Sequence, residues 1–456
     1  MSNVDSHPAA ATTSGWRLEG IHAFGLIWIG QVVSLFGAHL ASFVIGVWVF
    51  EETKSAGAFS LIFFFSVVPE ILLSPIAGAV VDRWGRREAM LAGCCGAASC
   101  TAVLAFLANF AALKVTIIYV MVGLISAFDS VQFPALSSSI TLLIPQRHLA
   151  RANGMSELST SLAMVSAPLV GATFLASFGL RRVLWFAVCG YAVALLTLSA
   201  IRIHSVAPSA QAGLQRQSIL RDAVEGWRYV MARPELLALL FYFAVTNFTT
   251  GMVQVLLPPL VLSFASPLAL GRIMSTGGIG LLLSSLLLSV HGGPKHRMTA
   301  ILGVTFFQGA LLFAGVLKPS VLLVGLTAFL FLFCNPITLT SSQTMWQKKV
   351  DPCFQGRAFA IRRLLAWSTM PFAYLAAGPL ADHVFEPLMR AHGPLAGTVI
   401  ANWIGLGPGR GIALLFVVLG VLTVMAAVAG YRYRPLRELE IRLPDISYKL
   451  QTAESR

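Results

Sequence analysis

Charge is what this chain has least of. Only 11% of its 456 residues are Asp, Glu, Lys or Arg, and 57% are hydrophobic. A soluble globular domain carries about 25% charge and 45–50% apolar residues, so the shortage excludes a water-soluble fold. Acid is scarcer than base, with 19 Asp and Glu against 32 Lys and Arg and a formal net charge of +13. The basic surplus does not point to nucleic acid, because it is scattered through loops without a block or an aromatic–basic pattern. The six cysteines, Cys94, Cys95, Cys100, Cys189, Cys334 and Cys353, include no CxxC pair and have no neighbouring histidine. They read as small core residues, so neither a disulfide framework nor a metal site is expected. Also missing are an HExxH, a nucleophile–base pair and a GxxxxGK[ST] loop. An ATP-driven pump or a polytopic membrane enzyme would need such features, and no cofactor is expected. Met1–Ser14 is polar and has no cleavable signal, so the first apolar run is expected to serve as its own uncleaved signal.

Long apolar runs are abundant, with mean hydropathy at +0.78. A spanning helix needs about 20 such residues. Twelve runs qualify: 22–50, 58–81, 89–110, 115–143, 153–177, 183–201, 236–264, 268–290, 298–317, 319–346, 358–382 and 411–431. With the N-terminus inside, 24 of the 32 Lys and Arg fall on inner segments and 8 on outer ones. This three-to-one bias follows the positive-inside rule. The expectation is an all-α polytopic membrane protein with both termini cytoplasmic. Residues 1–21 form an inner N-tail, 22–201 a six-helix bundle, 202–235 an inner linker, 236–431 a second six-helix bundle and 432–456 an inner C-tail. Within the linker, Ser218 is a plausible N-cap for a short helix. Ile219, Leu220, Ala223, Val224, Trp227, Val230 and Met231 share one of its faces, suited to lying on the membrane surface.

The two halves echo each other. Pro145, Arg151-Ala152 and Ala167-Pro168 recur as Pro352, Arg357-Ala358 and Gly378-Pro379, and Phe133-Pro134 as Asn335-Pro336. Parallel six-plus-six repeats are one way secondary transporters are built, with the substrate site between the halves. The Gly/Pro-rich Gly405–Gly411 segment lacks a phosphate loop's Lys-Ser/Thr and reads as the cap opening the last span.

Carboxylates at membrane depth are few. Glu70 falls near the middle of the second run and Asp129 near the middle of the fourth. A charged Asp at bilayer centre costs about 2.5–3.5 kcal/mol on insertion scales. A carboxyl that takes up a proton on one side and releases it on the other avoids that cost, so Asp129 and Glu70 are candidate proton carriers. Glu70 can equally serve as a structural hydrogen-bonding group beside Pro69. His39, in the first run, could join them or be a satisfied helix polar group. Candidate cavity residues are Gln31, Asn247, Gln254, Asn335 and Arg362, with Trp367 and Tyr374 as apolar walls. Each polar one could instead hold helices together, and Arg362 and Arg363 could snorkel to the inner interface.

One short stretch between the second and third runs is unusually specific: Gly78-x-x-x-Asp82-Arg83-x-Gly85-Arg86-Arg87. It resembles the signature loop of the major facilitator superfamily, in the place expected for it. Trp28-Ile-Gly-Gln31, Pro69-Glu70 with Ser74-Pro75, Arg151-Ala-Asn-Gly154 and Ala377-Gly-Pro-Leu380 resemble its macrolide-efflux and enterobactin-exporter branch. Ser166-Ala-Pro168-Leu-Val-Gly171 is similar to the family's antiporter motif, with Ala167 where a glycine is usual. The resemblance implies an efflux transporter of the cell membrane that works by alternating access, exporting an amphipathic drug, siderophore or peptide-like product. Protons, membrane lipid and the cargo would be its partners, and it would act as a monomer. An importer or uniporter of the same fold, and a transport-inactive receptor, remain open alternatives. The resemblance also implies roles in the loop. Asp82 would cap the inner N-terminus of span 11 near Arg357–Phe359, Gly78 would let helices approach and Gly85 would permit the turn. Arg83, Arg86 and Arg87 would meet carboxylates or anionic lipid. The inner end of span 4, Thr141–Gln146, offers no acid, which leaves Glu157 as the nearest partner.

Overall fold

The computed structural model describes residues 21–110, 112–143, 149–201, 227–228, 231–291, 293–350, 362 and 368–443. Among them there is no strand. The first half contains α1 (Ile21–Thr53), α2 (Ala56–Trp84), α3 (Arg86–Asn109), α4 (Val115–Leu143) and α5 (Leu149–Ser199). The second contains α6 (Pro234–Leu262), α7 (Pro267–His291), α8 (Arg297–Gly315) and α9 (Val321–Lys349). Next is α10, residues 368–379, which runs into a π-helical turn at Leu380–Phe385, and then α11 (Arg410–Arg432). Ten helices among the described residues are long and apolar enough to cross a membrane. Most of the linker helix expected near Ser218 lies outside the described residues; Trp227 and Met231 are exposed.

Two turns show how local sequence sets the topology. Gly85 has φ 93°, in the region where a Cβ is costly. One residue thereby reverses the chain from α2 into α3. The runs 153–177 and 183–201 were expected to be separate helices. They are two helices within the run Leu149–Ser199, meeting at Gly179, where φ is 73°. Arg181 and Arg182, read as loop residues, are helical. Gly409, also at positive φ, is the N-cap of α11, in keeping with a Gly/Pro cap there.

The apolar cores divide unequally along the bundle. Near the Gly85 end, Ile27, Met90, Ala135 and Leu198 form a core made only of the first half. Leu236, Ile301, Trp346 and Leu439 form its counterpart in the second. Toward the opposite end, Phe50, Ala56 and Phe59 share one core with Leu256, Ala373 and Tyr374. Val47 likewise packs with Val261 and Leu270. The described halves are therefore fused at the end remote from Gly85. The tail at 434–443 fastens the second half at the Gly85 end. There the Glu440 carboxylate accepts from Arg297 N at 2.9 Å, and Lys349 Nζ donates to the carbonyls of Glu440 and Leu443.

Candidate functional site

At the Gly85 loop, Arg87 lies against the end of α5. Its Nε donates to Ile201 O at 2.7 Å and Leu198 O at 3.2 Å, and its Nη2 to Ser199 O at 2.9 Å. The last carbonyls of a helix have no intrahelical donor and carry the negative end of its dipole. A planar guanidinium supplies both donors and charge. Arg87 thus ties the signature loop to the last turn of α5. Residues 351–361, where Asp82 was expected to dock, lie outside the described residues, as do the side chains of Asp82, Arg83 and Glu157.

The intramembrane acids share one region of the first half. Asp129 on α4 lies within electrostatic reach of Glu70 on α2. Beside them α4 bonds to the backbone of α2. Ser126 Oγ accepts from Glu70 N at 3.2 Å and donates to Ser66 O at 2.6 Å. Those two groups, four residues apart, are partners in the helix ladder. A hydroxyl from α4 thus reaches both groups of one step of that ladder. Pro69, the preceding residue, has already removed the neighbouring donor. Ser126 was missed at the level of sequence, where a serine in an apolar helix carries no signal. His39, on α1, is partly buried.

A cavity of about 310 Å³ lies in the half of the bundle remote from Gly85. Its wall comes from α6, α7, α8, α9 and α11, closed on one side by Ser161, Met164 and Val165 of α5. It is mostly aliphatic and aromatic, with Thr250, Gln254, Thr327 and Asn335 as polar points. Ligand sites have this make-up, with apolar walls and a few fixed polar groups. Asn335 Oδ1 accepts from Gln308 Nε2 at 2.9 Å, and the same amide donates to Phe331 O at 3.1 Å. The Asn335 amide is thereby oriented. Of the residues expected to line a cavity, Gln254 and Asn335 do so, while Gln31, Asn247 and Arg362 lie outside this wall. Arg362 donates to Gln343 Oε1 at 2.6 Å and stacks 5.8 Å above Trp346, so it is held within its own half. Trp367 is outside the described residues. Tyr374 is buried in the core shared by the halves, edge-on to Phe63.

The 166–171 motif forms part of the seam between halves. Pro168 has no N–H for the α5 ladder. One turn earlier, Val165 O takes the hydroxyl of Ser275 on α7 at 2.5 Å. Opposite Pro168 is Gly271, where a Cβ would stand 2.6 Å from Pro168 O. Gly171 faces α1, where a Cβ would meet Phe43 at 3.0 Å. A further contact crosses between halves at the end remote from Gly85, where Asp382 binds the start of α2.

Comparison with known proteins agrees with this architecture. Residues 27–373 match the Major Facilitator Superfamily. The chain is 24% identical over 381 residues to macrolide efflux protein A of Streptococcus pyogenes, covering 81% of this chain and 91% of that protein. It is 27% identical over 345 residues to the multidrug efflux pump Tap of Mycolicibacterium fortuitum, covering 73% and 83%. Among solved structures, it resembles a bacterial homologue of the human lysosomal transporter Spinster in an inward-facing, unoccupied conformation. The TM-score is 0.65 at 16% identity, with 89% of this chain and 95% of that one covered. A D-xylose–proton symporter superposes with TM-score 0.63 at 14% identity, covering 92% and 99%. The first match takes in both halves of the helical bundle and the Gly78–Arg87 loop between α2 and α3. The chain therefore belongs to the Major Facilitator Superfamily, as a multi-pass protein of the cell membrane.

Proposed function

We propose that this chain is a secondary efflux transporter, exporting an amphipathic small molecule by alternating access in exchange for protons. In this reading it has twelve spans, counting both arms of α5 and the helix that ends at the π turn. The Gly85 end and both termini face the cytoplasm, as the Lys/Arg bias favours. The observation that carries the reading is the cavity of about 310 Å³ between α5 and the second half. It is apolar enough for the body of an amphipathic cargo, and Gln254 and Asn335 can orient the cargo's polar edge. The efflux relatives supply the direction. The family assignment points to a transporter and away from an enzyme.

Proton coupling is assigned to Glu70 and Asp129. Two carboxyls in reach of each other disfavour simultaneous ionisation, so the pair can hold one proton and exchange it as the halves rock. The test is flux of a macrolide antibiotic into inside-out proteoliposomes under an imposed proton gradient, acid within. Uptake should collapse when the gradient is dissipated, and in the Glu70→Gln, Asp129→Asn double variant. Full gradient-driven uptake by that variant rules out these two acids as carriers. Flux running only in the opposite direction identifies an importer.

A further inference from the structure

At the end remote from Gly85, one carboxylate joins the two halves. Asp382 lies in the π turn that ends α10. Its Oδ2 accepts from Ser55 Oγ at 2.5 Å and Gly57 N at 2.8 Å, and its Oδ1 from Ala56 N at 3.1 Å. Ala56 and Gly57 are the first residues of α2, whose N–H groups have no intrahelical acceptor and form the positive end of its dipole. The cap for α2 is therefore shared between the halves: Ser55 Oγ accepts from Ala58 N at 3.0 Å, and Asp382 takes the Ala56 and Gly57 N–H groups. The backbones below it touch. A Cβ on Gly378 would overlap Gly57 Cα, and one on Gly57 would meet Asp382 Oδ2 at 3.0 Å. Tyr119 Oη donates to Ala58 O at 2.8 Å, which steadies the same turn of α2 from within the first half.

One turn on, Glu386 does the same for its own half. Its Oε1 accepts from Ile412 N at 3.3 Å, at the start of α11. Burial pushes the Glu386 carboxyl above its ordinary range, against the opposing pull of the Ile412, Gly409 and Gly411 N–H groups. The two caps differ in kind. Glu386 joins helices that move together, whereas Asp382 joins helices that must part if the halves rock. π turns are concentrated at functional positions, and this one carries Asp382.

We propose that Asp382 is a positioning residue of the transport cycle, a releasable cap that holds the end remote from Gly85 closed and must let go of α2 each time that end opens. The proposal rests on the alternating-access reading, with the Gly78–Arg87 loop acting at the opposite end. Closure there then places an aspartate of α2 on the second half, and closure here an aspartate of α10 on the first. Opposite substitutions should bias the cycle in opposite senses.

The test measures conformation without transport, so its failure is distinct from failure of the export reading. Spin labels are placed at Lys114 and Lys318, which are exposed and lie in loops of opposite halves at the Asp382 end. The six native cysteines are replaced, and distances are read by pulsed electron paramagnetic resonance in nanodiscs. Asp382→Asn should raise the long-distance fraction about fivefold or more, because the amide offers one acceptor oxygen to three donors and at least one hydrogen bond to a charged group is lost. Ser55→Ala, which removes one of the three bonds to Asp382 together with the local bond from Ala58 N, should raise it less. Asp82→Asn should leave the pair at its short distance. An unchanged distribution in both Asp382→Asn and Ser55→Ala overturns the proposal, as does a shift of equal size in Asp82→Asn. If Asp382→Asn does not fold, Ser55→Ala alone decides, because the cap carboxylate is intact in that variant.

Discussion

Gly271→Ala offers a graded test of how tightly the two halves close. The added methyl would sit 2.6 Å from Pro168 O and 2.8 Å from Ala172 Cβ, both on α5. Ordinary contact begins near 3.4 Å, so α5 and α7 must part by about 0.8 Å at this level. The obstacle is a backbone carbonyl, which cannot rotate aside. Overpacking of this kind costs about 1–3 kcal/mol, and the open state does not bear that cost. A penalty of that size changes the open population about 5- to 150-fold. The assay is the rate at which a membrane-impermeant maleimide, added on the Asp382 side, alkylates Gln254→Cys in the cavity. The parent for this series has its native cysteines replaced. The rate should rise by that factor in Gly271→Ala. It should stay at the parent value in Gly303→Ala, where a Cβ meets nothing within 4 Å. An unchanged rate in Gly271→Ala would refute the idea that this seam is closed at backbone contact.

Three further outcomes are expected. Arg87→Ala should lower the thermal midpoint of the purified protein, because three carbonyls at the end of α5 lose a charged donor; such a bond contributes about 1.5–3 kcal/mol. Arg87→Lys should recover less than half of the loss, having no planar fork. Ser126→Ala should reduce the number of protons exchanged per cargo molecule while Ser126→Thr retains it, since only the threonine keeps a hydroxyl on Glu70 N and Ser66 O; equal stoichiometry in both would remove Ser126 from the mechanism. Ala328→Phe, which fills part of the cavity wall, should raise the KM for a macrolide at least roughly tenfold and leave a much smaller cargo less affected, as measured by competition in the flux assay.

Much of the fold was legible because a membrane leaves few choices. Apolar runs of sufficient length became helices, and Gly85 had to be a residue that tolerates positive φ. Gly179 was less legible. The Arg181-Arg182 pair looks like a loop, yet a single glycine lets the chain reverse without one. The candidate site was readable only where chemistry is rare in context. Glu70 and Asp129 stood out as acids in apolar helices, and the structure puts them within reach of each other. Gln254 and Asn335 were among several amides of equal promise. Which of them reaches a cavity depends on helix rotation and on partners such as Gln308, which sequence does not display. Ser126 and Asp382 were overlooked for opposite reasons. A serine is ordinary in a helix, and an acid at a helix end looks like a mark of topology. In each case the partner lies on a distant segment of the chain.

The cavity belongs almost wholly to one half, and on the alternating-access reading this divides the labour of transport. Cargo held by α6, α7, α8, α9 and α11 travels with a single rigid body, and only Ser161, Met164 and Val165 withdraw when α5 moves. Exchanging Gln254 or Asn335 then weakens loading and unloading equally, which alters selectivity without altering directionality. A change at Met164 acts on the difference between the two affinities, and so on how readily cargo is released once α5 has withdrawn.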